Sequence, residues 1–250
     1  MDFLFVFFLG SIWGSFANVC IYRIPKEQSV VWKGSYCFKC KKNIAWYDNI
    51  PLFSYFHLFG KCRKCKKSIP LQYFLVEFIT AVSFLLFYLL FSKSTLTLYF
   101  MIFGIISIII IFIDLKHFII PDSLNFILIF VGIAKVFDPT LQFSFLPNIQ
   151  QSLLGGLTGY GIIYLLIYFY YKIKKIEAMG LGDAKLLAAL GCWFGWQSIF
   201  FILFFASVIA LLLILPSLLR QTRTLKSKIP FGPYLLLGSI TYLGLYNYIF

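Results

Sequence analysis

Met179-Gly180-Leu181-Gly182-Asp183-Ala184-Lys185 sets a carboxylate between two glycines and a lysine, where one apolar segment ends and the next begins. A charged side chain at bilayer-centre depth costs roughly 2.5 to 3.5 kcal/mol, so an ionisable residue in such a place points to function. Glycines two apart let another backbone lie close. The structural alternative is that Asp183 is the N-cap of the helix that follows, accepting its orphan N–H groups. Asp114 shares the setting, ending the run Ile105 to Ile113, and Asp122 follows Pro121 at the start of the next apolar run.

Composition names the solvent. The 250 residues are 61% hydrophobic, 21% aromatic and only 12% charged, against about a quarter charged in soluble domains. Several segments exceed the ~18 apolar residues of a transmembrane helix. The expected fold is therefore an all-α polytopic membrane protein with about eight transmembrane helices, near 3–22, 72–91, 96–114, 122–137, 148–171, 183–198, 199–219 and 230–249. No basic leading region or small-residue cleavage site marks Met1 to Tyr22, which reads as a retained first helix. The tight turn near Gly195-Trp196-Gln197 decides the topology, because one continuous helix there would invert everything after it.

A net charge of +13 would suit nucleic acid, but the positions of the basic residues argue topology instead. With the first loop in the cytoplasm, all of the 22 Lys and Arg except Lys93 and Lys135 fall on the inside, the cluster Arg220 to Lys228 included. That satisfies the positive-inside rule and puts both termini outside. Asp114 and Asp183 then both lie at cytoplasmic helix ends, so carboxylates from non-adjacent spans can meet at one depth. Asp122, directly after a proline at a helix start, reads as an N-cap, and His117 as a snorkelling, solvent-facing side chain.

The division expected is a first helix over 1–22, a cytoplasmic loop over 23–71 and a seven-helix membrane domain over 72–250. The loop carries Cys37-Phe38-Lys39-Cys40 and Cys62-Arg63-Lys64-Cys65, separated by 21 residues. That spacing fits a four-cysteine zinc site of Cys37, Cys40, Cys62 and Cys65, with two knuckles folded toward each other. Disulfides are the alternative, but the cytoplasm keeps thiols reduced. Four thiolates leave no open coordination position, so the zinc is structural, supplying folding free energy to a loop with little core. His57 reads as interfacial, and Cys20 and Cys192 as core. Asn49 to Phe56 reads as a short element lying on the membrane. Gly14, Ser15 and Ala17 admit a neighbouring helix, Asn18 can hydrogen-bond across that contact, and Glu77 in the second span suits a pairing with Arg or Lys, or the lining of a cytoplasmic cavity.

These blocks resemble the bacterial type IV prepilin peptidases, among the GxGD membrane aspartyl proteases. The matching segments are GSFANVCIYRIP (Gly14 to Pro25), the two CxxC pairs with NIPLFSY between them, LVEFIT (Leu75 to Thr80), IDLKHFIIPD (Ile113 to Asp122), GLGDAKLLAALG (Gly180 to Gly191) and IPFGPYL (Ile229 to Leu235). Ile69 to Glu77 departs from the family pattern, lacking an arginine and shifting the proline. The resemblance implies that Asp114 and Asp183 are the catalytic pair and that the four cysteines bind metal. It implies an enzyme of the bacterial inner membrane that cleaves type IV prepilin or pseudopilin precursors on the cytoplasmic side, then methylates the new N-terminus from S-adenosylmethionine. Its partners would be those precursors and the lipid bilayer, with no nucleic acid. Two close carboxyl groups cannot both ionise cheaply, so they share a proton, one acting as base and the other as acid. An ion-coupled transporter is the competing reading, since intramembrane aspartates also mark proton relays, but no second copy of GLGD supports the internal repeat that transporters carry. A zinc-bearing scaffold accounts for the cysteines and not for the aspartates.

Overall fold

The computed structural model describes residues 2–249 except 33, 38, 93, 142–144, 176–178 and 220–227. Lys33, Lys93, Arg220, Arg223 and Lys226, used in the charge argument, thus lie outside the described residues. Among those described, the chain is helical, without a strand; two isolated bridges, Tyr36 with Asn43 and Lys61 with Ser68, are its only β pairings. It packs as two compact units, 1–109 and 110–250.

The first unit is built on α1 (Asp2–Arg23) and α3 (Leu71–Phe91), with the loop, the short α2 (Phe53–His57) and the first part of α4 (Thr95–His117). Small residues set how closely α1 meets α3. Gly10 faces Ala81, Gly14 faces Glu77, and one turn on Asn18 Nδ2 donates to Tyr73 O at 3.0 Å. Steps of four forward on α1 against four back on α3 are the signature of an antiparallel contact along i, i+4 rows, and the hydrogen bond expected of Asn18 is there. Val6, Phe84 and Met101 close the end of this unit away from the loop.

The second unit is organised around α7 (Leu181–Phe194), which is buried at every position from Leu186 to Phe194. A helix apolar all round belongs inside, and α7 has α5 (Asp122–Ala134), α6 (Ile149–Lys174), α8 (Ser198–Leu219) and α9 (Gly232–Ile249) about it. Gly155 and Gly191 let α6 and α7 touch backbone to backbone, since a Cβ on either would strike the other's carbonyl. The far end of α7 is tied by side chains: Ser152 Oγ donates to Cys192 O, Trp193 Nε1 to Leu128 O, and Lys135 Nζ to Trp193 O, each at 2.8 Å. Lys135, only 2% exposed, places its amine at the negative end of the helix.

The turn at Gly195 to Gln197 is real. Gly195 takes φ 83, a conformation glycine adopts without strain, and separates α7 from α8. Among the described residues, five helices are long and apolar enough to cross a membrane: α1, α3, α4, α6 and α8. At 13 and 14 residues, α5 and α7 reach about 20 Å, short of the ~30 Å hydrocarbon core. The outer faces are apolar as lipid requires, with Phe200, Phe204, Leu211, Leu212 and Leu213 of α8 exposed.

Candidate active site and metal centre

Asp114 sits near the end of α4 and is 3% exposed. A buried charge needs donors, and one comes from a distant part of the chain: Gly232 N–H, at the first residue of α9, donates to Asp114 Oδ2 at 3.0 Å. The positive end of the α9 dipole thus faces the carboxyl group. A methyl group added at Gly232 would come within 2.8 Å of Asp114 Oδ2 and 2.9 Å of Ile120 Cδ1, so glycine is what lets the amide approach. Pro233, in the first turn, gives up an N–H that has no helical partner anyway.

Asp183 lies close enough for its charge to act on Asp114. It is not the N-cap of α7. That position is Gly180, and Asp183, in the first turn, has the Gly180 N–H acting on its carboxyl group. Gly182 packs on Ile120, and its carbonyl accepts Asn125 Nδ2 at 3.4 Å. Ile120 therefore wedges between the glycine backbones of both segments. Asn125 is fully buried, and its Oδ1 has no hydrogen-bond partner.

Asp122 departs from its expected role. The cap of α5 is Pro121, while Asp122 is the first helical residue and pairs with Lys185 Nζ at 2.6 Å. Its first-turn place suits a carboxylate, but the cation across from it is what holds it. His117 is exposed, as expected. Sequence reasoning missed the Gly232 amide, which no pattern advertises, and Asn125, whose signal was a polar residue inside an apolar run.

In the loop the two CxxC segments fold alike. Cys37 N–H donates to Lys42 O and Lys41 N–H to Cys37 O; Cys62 and Lys66 repeat this with Lys67 and Cys62. Lys41 and Lys66 take the same left-handed turn, at φ 56 and 57. The four Sγ atoms lie within 4.8 Å of one another, and Cys37 and Cys65 are 3.9 Å apart. A tetrahedron with Zn–S bonds of about 2.3 Å has edges of about 3.8 Å, whereas a disulfide needs about 2.05 Å. All six cysteines are free. N–H groups of Cys65 and Lys64 draw the Cys62 thiol down to about 7. Against the pull of the Lys67 N–H, desolvation and the three neighbouring thiols push Cys65 up to about 11. Four thiol sulfurs at this spacing could hold a divalent cation, and the donor set fits zinc. His57 stands apart, stacked on Phe53. Arg63 grips Asp48 with two nitrogens at 2.7 to 3.0 Å, fastening the second knuckle to the segment before α2.

Between this loop and the loop-side ends of α1 and α3 lies a cavity of about 280 Å³, lined by the buried Asn18 and Glu77, by Tyr55 and Tyr73, and by exposed lysines. Among the described residues, Glu77 pairs with no Arg or Lys. Its Oε2 accepts Leu52 N–H at 2.8 Å, which agrees with the cavity-lining alternative.

Two family models match this chain: the bacterial peptidase A24 N-terminal domain over residues 8–91, and the type IV leader peptidase family over 101–215. A protein of Pectobacterium carotovorum named prepilin leader peptidase/N-methyltransferase is 34% identical, over 93% of this chain and 89% of its own length. The chain belongs to the type IV leader peptidase family. Relatives of the same name occur in Vibrio cholerae, 34% identical over 80% of both chains, and in Pseudomonas aeruginosa, 30% identical over 91% of this chain and 84% of that one. No solved structure matches. Membership makes this chain an enzyme, with peptidase and methyltransferase activities both in its relatives' names, and leaves the transporter reading without support.

Proposed function

We propose that this protein removes the leader peptide of type IV prepilins or pseudopilins at the cytoplasmic face of the inner membrane, with Asp114 and Asp183 as the working dyad, and then N-methylates the new terminus. The observation that carries the reading is the Gly232 N–H on Asp114, with Asp183 in electrostatic range, in a unit built of membrane helices. In this mechanism the ionised carboxylate takes a proton from water as its oxygen attacks the scissile carbonyl, and the protonated partner gives its proton to the carbonyl oxygen. Collapse of the tetrahedral adduct passes a proton to the leaving nitrogen, breaks the C–N bond and restores one proton to the pair. The Gly232 amide holds Asp114 in place. Eight membrane segments with both termini outside remain our topology, supported by the basic residues on the loop and beside Lys185. The short α5 and α7 would then cross only part of the membrane, sheltered by their neighbours.

Zinc held by Cys37, Cys40, Cys62 and Cys65 ties the loop together. S-adenosylmethionine, when bound, supplies an electrophilic methyl group, and the cavity of the first unit offers it tyrosine faces that attract cations and lysines for its carboxylate. Precursor processing in cells tests the dyad. Asp114→Asn and Asp183→Asn each abolish leader removal while the protein still inserts, whereas Asp122→Asn, removing an exposed ion pair, retains it. Normal processing by either of the first two would sink the dyad.

A further inference from the structure

The cavity of the first unit contains a buried acceptor with nothing to accept. Asn18 is 3% exposed, and because Nδ2 must donate to Tyr73 O, the orientation of its amide is set. Oδ1 is left without a partner, a loss of about 1–3 kcal/mol unless a ligand or water supplies a donor. On the facing helix, one turn along, is Glu77, whose carboxylate accepts the Leu52 N–H. A carboxylate has about four lone-pair positions, so it retains capacity for another donor.

The chain accepts strain to arrange this. Leu52 has φ 61 and ψ −54, closing a γ-turn in which Phe53 N–H donates to Pro51 O at 2.6 Å. A non-glycine residue in such a region costs on the order of 1–3 kcal/mol, and such residues cluster at functional sites. The product of the strain is an amide aimed at Glu77. The other acid on the cavity wall, Asp48, is occupied by Arg63. Among the described residues lining the cavity, Glu77 is therefore the acid outside an ion pair, and with Asn18 Oδ1 it offers acceptors at the buried end, while Arg23, the buried cation on the same wall, donates to the carbonyls of Ser29 and Gly34.

Acceptors call for a donor, and the negative charge of Glu77 calls for a cationic one. We infer that the buried end of this cavity is a binding site for a primary ammonium group, with Glu77 and Asn18 Oδ1 as its acceptors, and that the ammonium is the amino terminus newly exposed on the processed substrate. The inference rests on the reading that this enzyme methylates that terminus. A volume of 280 Å³ equals about nine waters at roughly 30 Å³ each, room for a terminal residue and its amine. Three N–H bonds on an ammonium match these acceptors with one to spare. Glu77 takes one proton, leaving a nitrogen lone pair. That lone pair forms the new N–C bond to a sulfonium donor's methyl group as the C–S bond breaks, its electrons staying on sulfur, and the product is a secondary ammonium.

The test uses the full chain in detergent, without methyl donor, and fluorescently labelled peptides matching the mature N-terminal segment of a prepilin, with a free or an acetylated α-amine. The wild-type protein is expected to bind the free amine at least tenfold more tightly. Glu77→Gln and Asn18→Leu reduce that preference below threefold, zinc content and elution volume showing that each variant is folded. Equal binding of both peptides by the wild type, a result independent of any variant, overturns the proposal. So does a preference that survives Glu77→Gln, or a Glu77→Gln variant that loses binding of S-adenosylmethionine alone while keeping the amine preference, which would make the cavity the donor's. Product mass separates this from the underlying reading. If the wild type adds no methyl group, methyl transfer itself fails; if it does and Glu77→Gln methylates at the same rate, only the ammonium site fails.

Discussion

Replacing Gly232 with alanine tests the active-site geometry at one added methyl. The new Cβ would stand 2.8 Å from Asp114 Oδ2 and 2.9 Å from Ile120 Cδ1. Ile120 offers the far end of a flexible side chain and can turn away, but the carboxyl group must retreat by about 0.6 Å to reach an ordinary contact near 3.4 Å. Its bond to the Gly232 amide, 3.0 Å long, then leaves the 2.7–3.2 Å range of a good hydrogen bond. A hydrogen bond to a charged group is worth about 1.5–3 kcal/mol. At 1.36 kcal/mol per factor of ten, the rate of leader removal from a purified prepilin should fall about 10- to 150-fold. Alanine is the better helix former at the start of α9 by up to about 1 kcal/mol, which offsets only part of the lost bond, so the melting temperature should fall modestly and cleavage is compared well below it. A Gly232→Ala protein that cleaves within threefold of the wild type would refute the claim that this amide positions Asp114.

The metal centre should contain one zinc per chain by elemental analysis, and replacing any of Cys37, Cys40, Cys62 or Cys65 with serine should release it. Stripping the metal with a chelator should expose the segment between α1 and α3 to limited proteolysis, because two knuckles with little core lose what joins them. Arg63 holds the Asp48 carboxyl below the usual carboxylate range. Its contribution to loop stability is therefore complete above the unfolded value near 3.9 and is lost as pH falls through the lower folded value. Asp48→Asn should weaken loop protection only slightly at pH 7, as solvent screens the pair, and the gap from wild type should narrow below about pH 4. A constant gap down to pH 3 would mean that the ion pair contributes nothing.

Periodicity, charge and spacing belong to short stretches of chain, and they carried the membrane class, the sites of the longer helices, the four cysteines and the two aspartates at helix ends. The break at Gly195 was legible because continuity would have stranded the basic cluster beyond it on the wrong side. What needed tertiary structure was every decision made between distant segments. A run such as Leu181 to Phe194 reads as a span because it is apolar, yet its 14 residues are surrounded by other helices of its unit instead of being measured against a bilayer. Hydropathy records what a segment avoids and cannot tell lipid from protein. Asp122 looked like a cap because caps are local, and it turned out to pair with a lysine 63 positions away. The amide on Asp114 comes from 118 positions away, and the partner of Glu77 is a strained backbone N–H of the loop. Backbone donors carry no side-chain signature, so only folding reveals which carboxylate they reach.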